Sequence, residues 1–148
     1  MNLTKCIEEI KSDRVRNLFA ELYGTQDCII EKQQQRYERA VQAFHEFFPT
    51  HTDIKIYSAS GRTEIGGNHT DHQRGIVLAG EVNLDVIAVV SFHTEGVIRV
   101  KSEGYLLAEI QLDNLKPYDN DDGTMSLVKG VVTKFKEKNV LVEGFDMY

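Results

Sequence analysis

The sequence contains no tryptophan, only two prolines and two cysteines, and no long hydrophobic run. Its longest apolar run, residues 86–90, is far too short to span a bilayer, so no membrane partner is predicted. Cys6 and Cys28 belong to no CxxC pair. They predict reduced thiols of a cytosolic protein, and they leave no cysteine metal site.

Positively charged residues are fewer than negatively charged ones. The chain has 17 Lys and Arg residues against 23 Asp and Glu residues, a formal net charge of −6. This balance argues against nucleic acid as a partner. The first residues, MNLTKCIEEIKSD, mix charges into apolar positions and therefore do not form a secretory signal. With 148 residues, the composition predicts one globular domain in the cytoplasm.

Three helices are predicted in the first half of the chain, where apolar residues recur at helical spacing. They cover residues 3–10, residues 14–24 after a cap at Asp13, and residues 29–48 before Pro49. The predicted core stripes are Leu18, Phe19 and Leu22 in the second helix, and Tyr37, Val41, Phe44 and Phe48 in the third.

After Pro49 the apolar period changes from that of a helix to that of a strand. Strands are predicted at residues 53–58, 84–92 (a continuous buried run), 96–100, 108–113 and 142–148, with a helix at 125–138. In that helix Leu127, Val128, Val131 and Phe135 share one side. This order predicts an α+β domain, a mostly antiparallel sheet packed with helices.

No metal site is predicted. His45 and His51 superficially suggest a zinc motif, but they are six residues apart and a proline lies between them. His69, Asp71 and His72 lie close together, yet no later residue supplies an obvious fourth ligand.

Residues 58–75, SASGRTEIGGNHTDHQRG, concentrate polar chemistry between two apolar strands. One interpretation is a turn whose side chains satisfy its own backbone. The other is a ligand site. The glycines allow close approach, Arg62 offers a permanent positive charge, and Asn68, His69 and Asp71 supply the donors and acceptors that several hydroxyl groups require.

The same segment, GRTEIGGNHTDHQRGIVLAGEVN, resembles the galactokinase signature G-R-x-N-L-I-G-E-H-x-D-Y. LVKGVV in the last predicted helix is similar to N-Y-V-K-G-V of that family, which shares a superfamily with the homoserine, mevalonate and phosphomevalonate kinases. The resemblance implies the N-terminal domain of a galactokinase across residues 1–148. It also implies a kinase that phosphorylates the anomeric hydroxyl of a sugar with ATP and Mg²⁺.

The resemblance also implies residue roles. Arg62 corresponds to a catalytic arginine that stabilises the transferring phosphoryl group, and Ser102 falls near a serine close to the nucleotide. The substrate-binding positions are Asn68, His69, Thr70 and Asp71. The chain departs from the family pattern at Ser60, Glu64, Asn68, His72 and Thr124, so the sugar is not identified.

Galactokinases continue into a P-x-G-x-G-L-S-S-S-A phosphate loop and a catalytic aspartate, and neither motif is in this sequence. We therefore expect a fragment without its second domain, inactive as a kinase alone and with no bound cofactor. Cutting the sheet near residues 145–148 would leave a strand edge open to self-association. Three functions remain open: part of an active sugar kinase, a non-catalytic sugar-binding or regulatory relative, or a structural domain without ligand affinity.

Overall fold

The computed structural model describes residues 3–67, 73–116 and 123–148. Within these ranges the chain forms an α+β fold, as predicted. The elements are α1 Leu3–Ile10, α2 Asp13–Tyr23, α3 Asp27–Phe47, β1 Lys55–Gly66, β2 Leu78–His93, β3 Val97–Lys101, β4 Leu107–Gln111, α4 Gly123–Glu137 and β5 Gly144–Met147. None of the described helices combines the length and apolar character that crossing a membrane requires.

The five strands form one sheet in the order β1-β2-β5-β3-β4. β1 with β2, β2 with β5, and β3 with β4 are antiparallel, and only β3 with β5 is parallel. The predicted, mostly antiparallel sheet is thus confirmed. The predicted open edge at residues 145–148 is wrong, because β5 lies in the centre of the sheet with a hydrogen-bonded strand on each side.

Helices α1, α2 and α3 cover one face of the sheet. Their core contains the predicted stripe of α3, with Val41 and Phe44 almost fully buried. The stripe predicted for α2 is wrong in part, since Leu18 and Leu22 are 47% and 50% exposed. Phe19, the third predicted residue, is buried, together with Tyr23 one helical turn later.

Helix α4 packs alone on the opposite face. Val132 and partly buried Val128 contact the strand residues of this second core. The predicted apolar side of α4 is largely uncovered, because Leu127 is 70% exposed and Val131 and Phe135 are about half exposed. Leu127 and Val131 each lie about 100° around the helix from the packed residue that follows, Val128 and Val132, so the side that packs on the sheet leaves them largely outside the contact.

Two further local predictions are corrected. Ser12 caps α2 in place of Asp13, because the Ser12 hydroxyl accepts a hydrogen bond from the Val15 N–H at 3.3 Å. The run predicted as continuously buried, residues 84–92, is buried only at 89–91. Leu84 and Val86 are each 74% exposed, since this part of β2 pairs with β1 beyond the covered centre of the sheet.

Candidate functional site

The polar segment 58–75 lies partly in a strand, whereas one of the two interpretations of the sequence made it a turn. β1 continues to Gly66 and pairs with β2 as far as Leu78, so the two strands form a long antiparallel ribbon. Residues 58–60 lie in the inner part of this ribbon, which packs toward the helices. Residues 61–66 and 78–82 form its outer part.

A β-bulge separates the two parts of the ribbon. Ser60 pairs with Asp85, whereas the next residue, Gly61, pairs with Val82. β2 therefore has two additional residues at this point, the second of which is Leu84. A Cβ atom on Gly61 would lie 2.9 Å from the Leu84 carbonyl oxygen, so this close approach requires glycine.

Arg62 directly follows the bulge. Its side chain is exposed, and its backbone pairs with Glu81. Further along, Gly67 has φ +119°, and a Cβ there would lie 2.8 Å from the Ile76 carbonyl oxygen. Glycine is thus required on both sides of the outer part.

The four predicted sugar contacts fall outside the described residues. They are Asn68, His69, Thr70 and Asp71. Their positions in the sequence place them immediately after the outer part of the ribbon. Their role, like that of Arg62, stays a prediction.

Asp85 forms a polar network that the sequence analysis did not predict. Its carboxylate accepts hydrogen bonds from the Tyr23 hydroxyl at 2.7 Å and the Ser58 hydroxyl at 2.6 Å, and it pairs with Arg36 at 2.5 Å. Arg36 also donates to the Asp85 carbonyl oxygen at 2.7 Å. The Tyr23 hydroxyl lies 2.8 Å from that of Tyr37. The one available signal was an aspartate inside an otherwise apolar run.

The network alters the acid–base properties of its members. Burial opposes the charge on Asp85, but the hydrogen bonds from Ser58, Tyr23 and Arg36 outweigh it and hold the pKa of this carboxyl below its ordinary value. Burial and the hydrogen bond to Asp85 raise the pKa of Tyr23 far above its ordinary value. Asp85 is therefore ionised and Tyr23 is a neutral donor at neutral pH.

A second buried carboxylate, Asp146, lies in β5 on the same face of the sheet. His51 Nε2 is 2.6 Å from one of its oxygens, and His93 Nε2 is 3.3 Å from the other. Arg99 donates to the same group at 3.2 Å and also pairs with Glu95. The sequence analysis did not predict this network, because the partners of Asp146 are distant from it in the sequence.

Comparison with known proteins shows which proteins this part of the chain resembles. The galactokinase galactose-binding signature matches residues 42–92, which contain the ribbon, Arg62 and the predicted sugar contacts. The chain is 28% identical over 114 residues to the galactokinase of Fusobacterium nucleatum, with 74% of this chain and 29% of that protein covered. The chain thus resembles the galactokinases over most of its length.

Other galactokinases give the same result. The Bacillus subtilis enzyme is 28% identical over 108 residues, which cover 70% of this chain and 27% of the enzyme. The crystal structure of Lactococcus lactis galactokinase complexed with galactose matches with a TM-score of 0.56 and 17% identity, over 90% of this chain and 29% of that one. The fold is thus that of a galactokinase region. The chain spans less than a third of the length of the curated relatives it matches.

Ser102, the predicted nucleotide contact in this galactokinase-like chain, lies away from Arg62. It lines a cavity of about 390 Å³ together with Arg39, Asp85, Glu103 and Tyr148, and Arg62 is not part of that cavity. Asp85 is already fully engaged in its own network. Two arginines, Arg36 and Arg39, line the cavity together with the acidic Asp85 and Glu103, so it is not a phosphate site of one charge sign.

The described residues do not form a cradle for the phosphates of ATP. Such a cradle needs several glycines before a helix, whereas Gly123 stands alone among the described residues at the start of α4, Gly130 lies within that helix, and Gly144 begins β5. No group of three His, Cys, Asp or Glu side chains within the described ranges could hold a metal ion. His69, Asp71 and His72 lie outside those ranges.

Proposed function

We propose that this chain is the sugar-binding part of a cytoplasmic sugar kinase of galactokinase type. The full-length protein would transfer a phosphoryl group from ATP to the anomeric hydroxyl of galactose or a related sugar. The observation that carries the proposal is the match of the galactose-binding signature to residues 42–92, supported by the fold.

In this proposal Asp71 is the main sugar contact. An ionised carboxylate that accepts hydrogen bonds from two hydroxyls makes stronger bonds than a neutral group does. Asn68 and His69 read further hydroxyls as donors and acceptors. Arg62 supplies a permanent positive charge to the transferring phosphoryl group, where positioning and electrostatic stabilisation provide most of the catalysis.

ATP and Mg²⁺ belong to the full-length protein in this proposal, because the described residues offer no phosphate cradle. The chain of 148 residues should bind sugar without phosphorylating it. A coupled assay with ATP, Mg²⁺ and a panel of aldoses tests this expectation. Turnover that follows the concentration of the chain and disappears in Arg62→Ala would contradict it.

Sugar binding is measured by isothermal titration calorimetry of the chain with galactose, N-acetylgalactosamine and arabinose. Asp71→Ala should weaken binding about tenfold or more, because it removes a charged acceptor. Asp113→Ala is the matched control, an exposed aspartate in the turn after β4. Equal affinities for the unchanged chain, Asp71→Ala and Asp113→Ala would show that residues 68–71 do not form the sugar site.

A second candidate is a non-catalytic galactokinase relative that binds sugar to sense or regulate. The observation in its favour is Asn68, which stands where the family signature has glutamate. The two candidates differ in the activity of the full-length protein toward the panel of sugars. If that protein is active, Asn68→Glu should shift its preference toward galactose, as seen in the ratio of kcat/KM values.

A further inference from the structure

The bulge between Ser60 and Gly61 connects two parts of the ribbon that differ in how they are packed. The inner part packs on the helical layer, whereas the outer part carries Arg62 and is exposed on most of its residues. The direction of the outer part therefore depends on how firmly the bulge is fixed. Bulges redirect a strand and recur beside active sites for this reason.

Asp85 fixes the inner side of the bulge. It pairs with Ser60 across the ribbon, and its side chain is only 5% exposed. Donors from three elements hold it: Tyr23 of α2, Arg36 of α3 and Ser58 of β1. Because Arg36 also donates to the Asp85 carbonyl oxygen, both the side chain and the main chain of this residue are held.

The outer side of the bulge is fixed by close packing. The Leu84 carbonyl oxygen, one residue before Asp85, reaches the position that a Cβ atom of Gly61 would occupy. The residue held by the helices is therefore adjacent to the residue that packs on Gly61. Loosening Asp85 would release this contact and let the ribbon change direction just before Arg62.

We propose that Asp85 is a positioning residue: it holds the bulge and thereby fixes the direction of the outer part of the ribbon, which carries Arg62 and after which the proposed sugar contacts follow in the sequence. The inference rests on the proposed function. Asp85 acts through the main chain of the ribbon. Its partners Tyr23 and Arg36 connect α2 and α3 to the bulge.

Asp85→Asn tests the proposal, with Asp146→Asn as the matched control. Both changes neutralise a buried carboxylate on the same sheet face that pairs with an arginine. Asp146 lies in β5, away from the bulge. We expect Asp85→Asn to raise the galactose Kd about tenfold and Asp146→Asn to change it less than about twofold, at temperatures where both variants are folded.

Amide hydrogen exchange supplies a readout that does not depend on sugar. Exchange at residues 61–66 and 78–82 should become about tenfold faster in Asp85→Asn and stay unchanged in Asp146→Asn. Equal exchange in the two variants would overturn the proposal. If the unchanged chain binds no sugar, the proposed function fails, while the exchange comparison still decides the role of Asp85.

Tyr23→Phe covers the case in which Asp85→Asn does not fold. It removes one donor to Asp85 and keeps the ring that packs on Phe19. Exchange in the outer ribbon should become about threefold faster, with a parallel loss of galactose affinity. No change in either measurement would count against the proposal.

Discussion

The two faces of the sheet are covered in different ways. Three helices cover one face, and both buried carboxylates, Asp85 and Asp146, lie there with arginine partners. One helix, α4, covers the other face, whose core is apolar. Beside α4 a groove of about 680 Å³ is lined by exposed apolar residues such as Leu127 and Leu141.

This difference indicates which face of the sheet holds its strands in a defined arrangement. Apolar contacts are non-directional, so the α4 face can be stable without fixing any one strand position. Charged hydrogen bonds are directional and costly to leave unpaired, so Asp85 and Asp146 each admit one arrangement of the strands around them. The face with the carboxylates also supports the ribbon that carries Arg62.

The largest effect is expected in the apolar core of the three-helix face. Phe44 is 1% exposed in the core of the three-helix face, so Phe44→Ala should lower the free energy of unfolding by about 3–5 kcal/mol. Urea unfolding followed by circular dichroism measures the loss. Phe135→Ala on α4 is the control, and it should cost less than about 1.5 kcal/mol because Phe135 is already 48% exposed. Equal losses would mean that the two faces are equally well packed.

The next effect concerns the buried charge in β5. Asp146→Ala removes the acceptor shared by His51, His93 and Arg99 and should cost about 2–4 kcal/mol. Glu109→Gln is the control, since Glu109 pairs with the same arginine at 3.5 Å but is about half exposed. The same urea unfolding experiment applies. A loss no larger than that of Glu109→Gln would show that water replaces the carboxylate without penalty.

Periodicity predicted the elements of this fold but not their surroundings. The stripe of α3 and the end of α2 at Gly24 were predicted correctly, because spacing and a terminal glycine are local signals. The exposure of Leu127 was not, because a pattern shows which residues could face a core and not which face receives a partner. Asp85 was missed because Tyr23 and Arg36, its partners, are distant in sequence.

A smaller effect appears in the pH dependence of stability. The pKa of Asp85 is lower in the folded chain than its ordinary value of 3.8, because its hydrogen bonds outweigh its burial. Its contribution is therefore fully present above that ordinary value and is lost as the pH falls through the lower, folded pKa. The free energy of unfolding should fall by at most about 1.4 kcal/mol per pH unit from this group.

Asp85→Asn tests this assignment, because an amide does not titrate. Unfolding of the unchanged chain and of Asp85→Asn is compared at intervals from pH 6 to pH 2. The stability difference between them should shrink below the ordinary pKa of an aspartate. A constant difference over the whole range would show that the Asp85 carboxylate has the same proton affinity in the folded and unfolded chain.

The smallest effect is expected at the connection between α1 and α2 in the three-helix face. The Ser12 hydroxyl accepts from the Val15 N–H and donates to the Glu9 carbonyl oxygen at 2.7 Å, so it joins the end of α1 to the start of α2. Ser12→Ala should cost about 1 kcal/mol. Asp13→Ala should cost less, about 0.3–1 kcal/mol, since Asp13 lies in the first turn and acts only through the helix dipole. Thermal and urea unfolding of the two variants decide between the caps, and a larger loss for Asp13→Ala would restore Asp13 as the capping residue.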